Sequence, residues 1–201
     1  MKANIKDINN INVDDIVSLL KNKSFVMAIP TDTVYALCCN ALDKNAVEKI
    51  YSLKNRDKDK PISLFIKNID ELSKYIAQDI SDSTKELLDK HWPGALTVIF
   101  KKKNNASDYL TSNKDSIGIR IPDDRLLNEI LNKIDFPLAQ TSCNMSNEKE
   151  LKSADEIYEK FGDKIDLIIA TEKDLDNKPS TIISIVDNNI QIIRQGNIFI
   201  K

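Results

Sequence analysis

Apolar positions along this chain fall into two kinds of pattern, short unbroken runs and helical stripes. Residues 14–21 place Ile16, Val17, Leu19 and Leu20 at helical spacing, which predicts a short packing helix. Residues 25–29 are apolar throughout and stop at Pro30, which predicts a buried strand. After a hydroxyl-rich turn, Thr31-Asp32-Thr33, Asp43 stands as an N-cap. The helix behind it carries one stripe, Ala46, Val47, Ile50, Tyr51 and Leu53, and ends near Arg56. Pro61 restarts the chain as a strand over 62–66.

The same reading continues through the second half. Residues 70–75 predict a short helix, and Ser81 opens another that stops before the turn signal Trp92-Pro93-Gly94. A strand follows over 96–100. Residues 117–121 alternate so that Arg120 faces away from three isoleucines. Residues 124–133 are helical, and 138–141 form a strand end leading into the polar turn Ser142-Cys143-Asn144-Met145-Ser146-Asn147. Ser153 and Glu156 form a capping box for the helix to Phe161. Strands over 167–170, 181–186 and 190–194 close the chain, the last two joined by a hairpin signal, Asp187-Asn188-Asn189. Strands and helices mix without strict alternation. The expected fold is therefore a single α/β domain over 1–201, with a mixed β-sheet and one face left partly open.

Composition narrows the setting. Forty-one per cent hydrophobic and 30% charged residues describe a globular protein, and no apolar stretch approaches a membrane span. The first twelve residues are polar and have no signal-like core, so a cytoplasmic address is expected. A net charge of −2 exerts no overall pull on nucleic acid. Three cysteines, two adjacent, make a poor disulfide framework. The chain uses 25 lysines but four arginines, Arg56, Arg120, Arg125 and Arg194. In so lysine-rich a chain, arginine marks places where a planar fork is needed for carboxylate or phosphate.

Each candidate has a plain structural reading beside the functional one. Thr31, Asp32 and Thr33 suit any turn. Lys54 and Arg56 suit any helix C-terminus, yet together they could clamp a phosphate, one as a point charge and one as a fork. Ser142 and Asn144 lie beyond a strand's carboxyl end, where open α/β sheets bind ligands. Arg120, between isoleucines, must reach an open face or pair with an acid. Arg125 is read as a surface pair, and the sole histidine, His91, as a helix-end residue. Neither zinc-ligand spacing nor a P-loop or dinucleotide fingerprint is present.

Taken in order, eight segments resemble the YrdC/TsaC family of threonylcarbamoyl-AMP synthases. They are Pro30-Thr-Asp-Thr-Val-Tyr35, Lys54-Asn-Arg56, Pro61 with its strand, Trp92-Pro-Gly-Ala-Leu-Thr97, Ile119-Arg-Ile-Pro122, Ser142-Cys-Asn-Met-Ser146, Pro179-Ser-Thr181 and Arg194-Gln-Gly196. The resemblance implies a twisted YrdC-like sheet with a large open concave cleft. It also implies formation of threonylcarbamoyl-AMP and pyrophosphate from L-threonine, bicarbonate and ATP. The product would go to a threonylcarbamoyl-transferase complex acting on adenosine 37 of tRNA.

By the same resemblance, Lys54 and Arg56 carry the catalysis on the nucleotide phosphates. Lys60, Ser116, Ser142, Asn144 and Arg194 complete the ATP site, and Thr33, Arg120 and Ser180 form the L-threonine site. Mg²⁺ is expected to arrive with ATP, without a protein metal site. The chain departs from the family's pattern at Ala36 and Cys38, where glycines are usual, and at Asn147. Rival readings are an RNA-binding module of the same fold and a paralogue acting on a different substrate.

Overall fold

The computed structural model describes residues 3–104, 107–172, 175, 178–186 and 189–200. Most predicted elements appear, with shifts at their ends. Helix α1 is Val13–Leu20, β2 is Met27–Ile29, and α2 is Lys44–Lys54. Asp43 caps α2 by accepting from the backbone N–H groups of Asn45 and Ala46, and Asn55 ends it in the left-handed region at φ 46°. Strand β4 is Ser63–Phe65. Residues 70–75 resolve into a 3₁₀ turn, Ile69–Glu71, followed by α3, Leu72–Tyr75. Ser81 caps α4, Asp82–His91, which runs up to a cis Trp92–Pro93 bond.

Beyond that turn lie β5, Leu96–Lys101, and β6, Ser116–Arg120. Asp124 caps α6, Arg125–Lys133, and β7 is Leu138–Ser142. Ser153 caps α7, Ala154–Phe161, while Glu156 reaches back to the Lys152 N–H at 2.7 Å. Strands β8, β9 and β10 are Leu167–Ala170, Thr181–Ser184 and Gln191–Arg194. Residues 187 and 188 of the hairpin signal lie outside the described residues; β9 and β10 pair antiparallel, with a register shift between Ile192 and Arg194.

Four elements among the described residues were not foreseen, one of them a 3₁₀ turn at Ile8–Asn10. Strand β1, Asn4–Asp7, is a largely exposed polar edge. Helix α5, Asp108–Thr111, is a single turn. Strand β3, Ala36–Asn40, lies deep in the sheet, buried along nearly its whole length.

Among the described residues ten strands join one mixed sheet in the order β1-β8-β2-β3-β7-β4-β6-β5-β9-β10. Alternation along the strands sorts the core onto two faces. Leu37, Cys39, Leu64, Val98, Ile117 and Ile119 pack on one, with Val47 and Ile50 of α2, Leu88 of α4 and Phe161 of α7. Ala36, Cys38, Phe65, Leu138 and Leu167 pack on the other, with Ile16 and Leu20 of α1 and Leu127 and Ile130 of α6. That second cluster takes no residue from β5, β6 or β9. This face of the sheet is therefore covered at one end and open at the other, as expected. Among the described residues no helix is long and apolar enough to cross a membrane.

Candidate functional site

The open half of the second face is a cleft enclosing roughly 600 Å³ of space that is continuous with solvent. Its floor follows from strand parity. Ser63 and Phe65 of β4, Gln140 of β7, Ala36 of β3, Thr97 of β5 and Ile182 of β9 all line it, with Arg120 at the end of β6. Thr31 and Thr33 bound it on one side, and Pro179, Ser180 and Arg194 on the other. Of the residues assigned from sequence, Thr33, Arg56, Arg120, Ser142, Ser180 and Arg194 line this one cleft. Lys54, Lys60, Ser116 and Asn144 do not.

Arg120 is 3% exposed and fully braced. Its Nε donates to the Gly94 carbonyl at 2.9 Å, Nη1 to Thr33 Oγ1 at 3.1 Å, and Nη2 to Asp32 Oδ1 at 2.6 Å. The guanidinium also stands 5.7 Å from the Phe65 ring centre. The open-face and acid-paired readings of Arg120 thus hold together. Burial lowers its pKa, and Asp32 counters that pull.

Arg56 lies just past the left-handed end of α2. Nε donates to the Lys60 carbonyl at 3.0 Å and Nη2 to the Pro61 carbonyl at 2.9 Å, which leaves Nη1 for the cleft. Arg194 stands across from it, its Nε and Nη2 both donating to the Ser180 carbonyl at 3.2 and 2.8 Å. Burial lowers the pKa of each; for Arg194, Glu150 opposes that shift while the charges of Arg120 and Arg56 add to it. Three like charges held around one hollow create a field that an anion would relieve.

Lys54 is turned the other way. It is 1% exposed, and its ammonium donates to the Ser142 carbonyl, to the Asn144 carbonyl at 2.7 Å and to Asn144 Oδ1 at 2.7 Å. All three N–H donors are spent on the Ser142–Asn144 turn. Burial draws its pKa down to about 8, helped by Arg56 and opposed by Cys143 and Glu150. Asn144 is itself buried, accepting from Ser142 Oγ at 2.7 Å and donating to the Glu148 carbonyl at 2.7 Å. The turn ends at Asn147, which adopts φ 68° without glycine.

Lys60 sits at the surface with Nζ 3.0 Å from Asp57, and only its carbonyl serves the site, through Arg56. Ser116 opens β6 on the same strand face as Arg120 but four residues back. Arg125 pairs with Glu129 at 2.9 Å on the surface, and His91 ends α4, both as read from sequence.

Several residues carried no functional assignment from sequence: Ser63, Phe65, Thr97 and Gln140, which line the cleft, and Asp32, which pairs with Arg120. A signal existed for some of them. Gly118, two residues before Arg120, has no room for a Cβ, which would meet Ser63 Oγ at 2.7 Å. Its rarity and position mark the floor where Ser63 and Thr97 crowd in. The cysteines offer no nucleophile. All three are free and buried, and burial pushes the Cys143 thiol up to about 12. Among the described residues no three acidic, cysteine or histidine side chains gather as a metal site.

The cleft brings three guanidinium groups together with buried hydroxyls, a lining suited to an anionic, polar ligand. A family model covering Sua5, YciO and YrdC proteins, described as telomere recombination, matches residues 20–196. A Methanocaldococcus jannaschii protein is 40% identical over 171 residues, spanning 85% of this chain and 79% of its own. A Vibrio campbellii protein named threonylcarbamoyl-AMP synthase is 32% identical over 174 residues, 85% of this chain and 92% of its own. Among solved structures, Sua5 from Pyrococcus abyssi in complex with L-threonine superposes with a TM-score of 0.83 at 27% identity over 90% of this chain. This chain spans 54% of that longer protein.

Proposed function

We propose, from the premise that this chain belongs to the Sua5/YciO/YrdC family, that it is a threonylcarbamoyl-AMP synthase. The observation that carries this is the convergence of Arg56, Arg120 and Arg194 with Thr33, Ser142 and Ser180 on one open cleft. Adenylation requires two anions to be held together against their mutual repulsion, and three arginines supply that.

In this reading L-threonine lies at the Thr33–Arg120–Ser180 end, its carboxylate facing the remaining N–H groups of Arg120. ATP lies toward Arg56, Ser142 and Arg194. The amine of threonine combines with bicarbonate, losing water and protons, to give a carbamate. A carbamate oxygen then bonds to the α-phosphorus as the bond to the β-phosphate breaks, and pyrophosphate leaves. Arg56 and Arg194 neutralise charge on the phosphates. Lys54 acts through the turn it pins, holding Ser142 and Asn144 in place. Mg²⁺ enters as part of the MgATP substrate. The reaction asks for positioning and charge, which these residues supply, and for no protein nucleophile. The product is a mixed anhydride fit for transfer to adenosine 37 of tRNA by a partner complex in the cytoplasm.

Incubating the protein with MgATP, bicarbonate and L-threonine should release pyrophosphate only when all three are present. Release without threonine, or none with all three, would refute the proposal.

A further inference from the structure

The sheet ends in two edges of opposite character. Strand β1 is polar, and its charges are engaged: Lys6 stands 4.0 Å from Asp15, and Asp7 caps the 3₁₀ turn that follows it. Such charges discourage a further strand from pairing there. Strand β10, Gln-Ile-Ile-Arg, holds no lysine, proline or acidic residue, and among the described residues no strand pairs with its outer side. Around it Ile190, Ile192, Ile193 and Phe199 are 48–77% exposed.

The register shift in β10 aims a side chain and leaves the edge unguarded. Ile192 pairs with Ile183, a residue of the first of the two core clusters, whereas Arg194 pairs with Ile182, which lines the cleft. The extra residue, Ile193, thus lets Arg194 face the cleft while Ile190 and Ile192 extend the apolar face behind it. The tail folds back onto the same end of the sheet. Thr181 Oγ1 donates to the Ile198 carbonyl at 2.6 Å, and Ile198 and Ile200 pack on the first cluster. Phe199, between them, is turned outward. The four exposed side chains bare roughly 400 Å² of apolar surface, the size of patch that marks an interaction site. Covered from two copies, with the strand backbone and its polar flanks, the buried area reaches about 1,000 Å², which is what a specific interface needs.

We infer that β10 is a self-association edge: two copies of this chain pair antiparallel through it, about a two-fold beside Ile192, and join their sheets into one. An antiparallel edge is its own complement, so a second copy satisfies the open backbone groups of the first. Isoleucines then stand opposite isoleucines. Arg194, the one charge on the strand, falls at opposite ends of the new ladder in the two copies, so no like charges face each other. The two-fold runs perpendicular to the sheet, and both clefts therefore open on the same side. Arg194 rides on a strand held by one neighbour, and pairing gives that strand a second. None of this depends on what the cleft binds.

Sedimentation velocity of the full chain over ~1–100 µM should show monomer passing into dimer and nothing larger, because a two-fold closes on itself. Ile192→Lys should raise the dissociation constant by ~30-fold or more, through lost apolar burial and two charges meeting across the axis. Ile193→Lys should weaken the dimer too, and both side chains are exposed, so folding is spared. Ile192→Glu alone should also dissociate, yet mixed in equal amounts with Ile192→Lys it should recover the dimer as a mixed pair. Ile5→Lys, on the β1 edge, should stay within ~2-fold of the wild type. A wild type still monomeric at ~100 µM, its patch kept for some other partner, would overturn the inference. So would species larger than a dimer, failure of the mixed pair to recover, or a loss in Ile5→Lys equal to that in Ile192→Lys.

Discussion

Lys54 and Arg56 stand two residues apart at the end of the same helix, and their heads point to opposite tasks. The Lys54 ammonium is buried among three oxygens of the Ser142–Asn144 turn. Arg56, one residue past the left-handed Asn55, is half-buried, leans on two carbonyls and keeps Nη1 for the cleft. A helix that ends abruptly can thus aim successive cations differently. The last helical residue follows the core stripe, and the residue beyond the cap leaves it. Lys54 is a cation used to build the site, and Arg56 one presented to its contents.

Replacing Lys54 by Met should have the largest effect, because it strands three buried acceptors. Stability should drop by about 3 kcal/mol, and kcat/KM for ATP should fall as the turn loosens. Thermal unfolding should register ~6–12 °C at this chain length. Arg56→Met should lower kcat/KM for ATP by ~100-fold, comparable with removing one charge-stabilising donor. Its unfolding temperature should stay within about 2 °C, since the Lys60 and Pro61 carbonyls lie near solvent. Equal losses of stability in the two variants would break the distinction.

A pH series sharpens the same contrast. With its pKa lowered to about 8, Lys54 begins to lose its proton above that pH, leaving two N–H donors for three acceptors. Activity should decline over that limb. Stability should move the other way. The folded state holds this proton less tightly than the unfolded one, so a penalty present below about pH 8 is relieved as pH rises toward 10.5. The stability difference between wild type and Lys54→Met should therefore grow across that window, as denaturant titrations at several pH values would show. A constant difference would contradict the assignment. The smallest effect is expected at Ala36, where the resemblance to the family led us to expect a glycine. Ala36 sits in ordinary strand pairing between β2 and β7. Ala36→Gly should cost about 0.5–1 kcal/mol and leave the KM for threonine within about twofold.

Much of this was readable before any coordinates. Helices announced themselves where a capping side chain preceded a stripe, as Asp43, Ser81 and Ser153 do. Strand β3 did not, because a strand buried on both faces has no alternation, and its Ala-Leu-Cys-Cys-Asn run follows a turn without a break. In the site, Arg56, Arg120 and Arg194 stood out by their rarity. The inward turn of Lys54 also had a signal: with Val47 and Ile50 it continues the spacing of the buried stripe. What brings Asp32 to Arg120 and Thr97 to Ser180 was not readable. The first contact depends on the sheet order β2-β3-β7-β4-β6 and the second on β5 lying beside β9, so residues 88 and 83 positions apart meet only through that order.

The division between the two cations is tested most directly by a crystal structure with a non-hydrolysable ATP analogue and L-threonine. The account predicts a phosphate oxygen within ~3 Å of Arg56 Nη1 while Lys54 Nζ keeps its bonds to Ser142 and Asn144. A Lys54 ammonium swung out onto the phosphates, with the turn rearranged behind it, would contradict it.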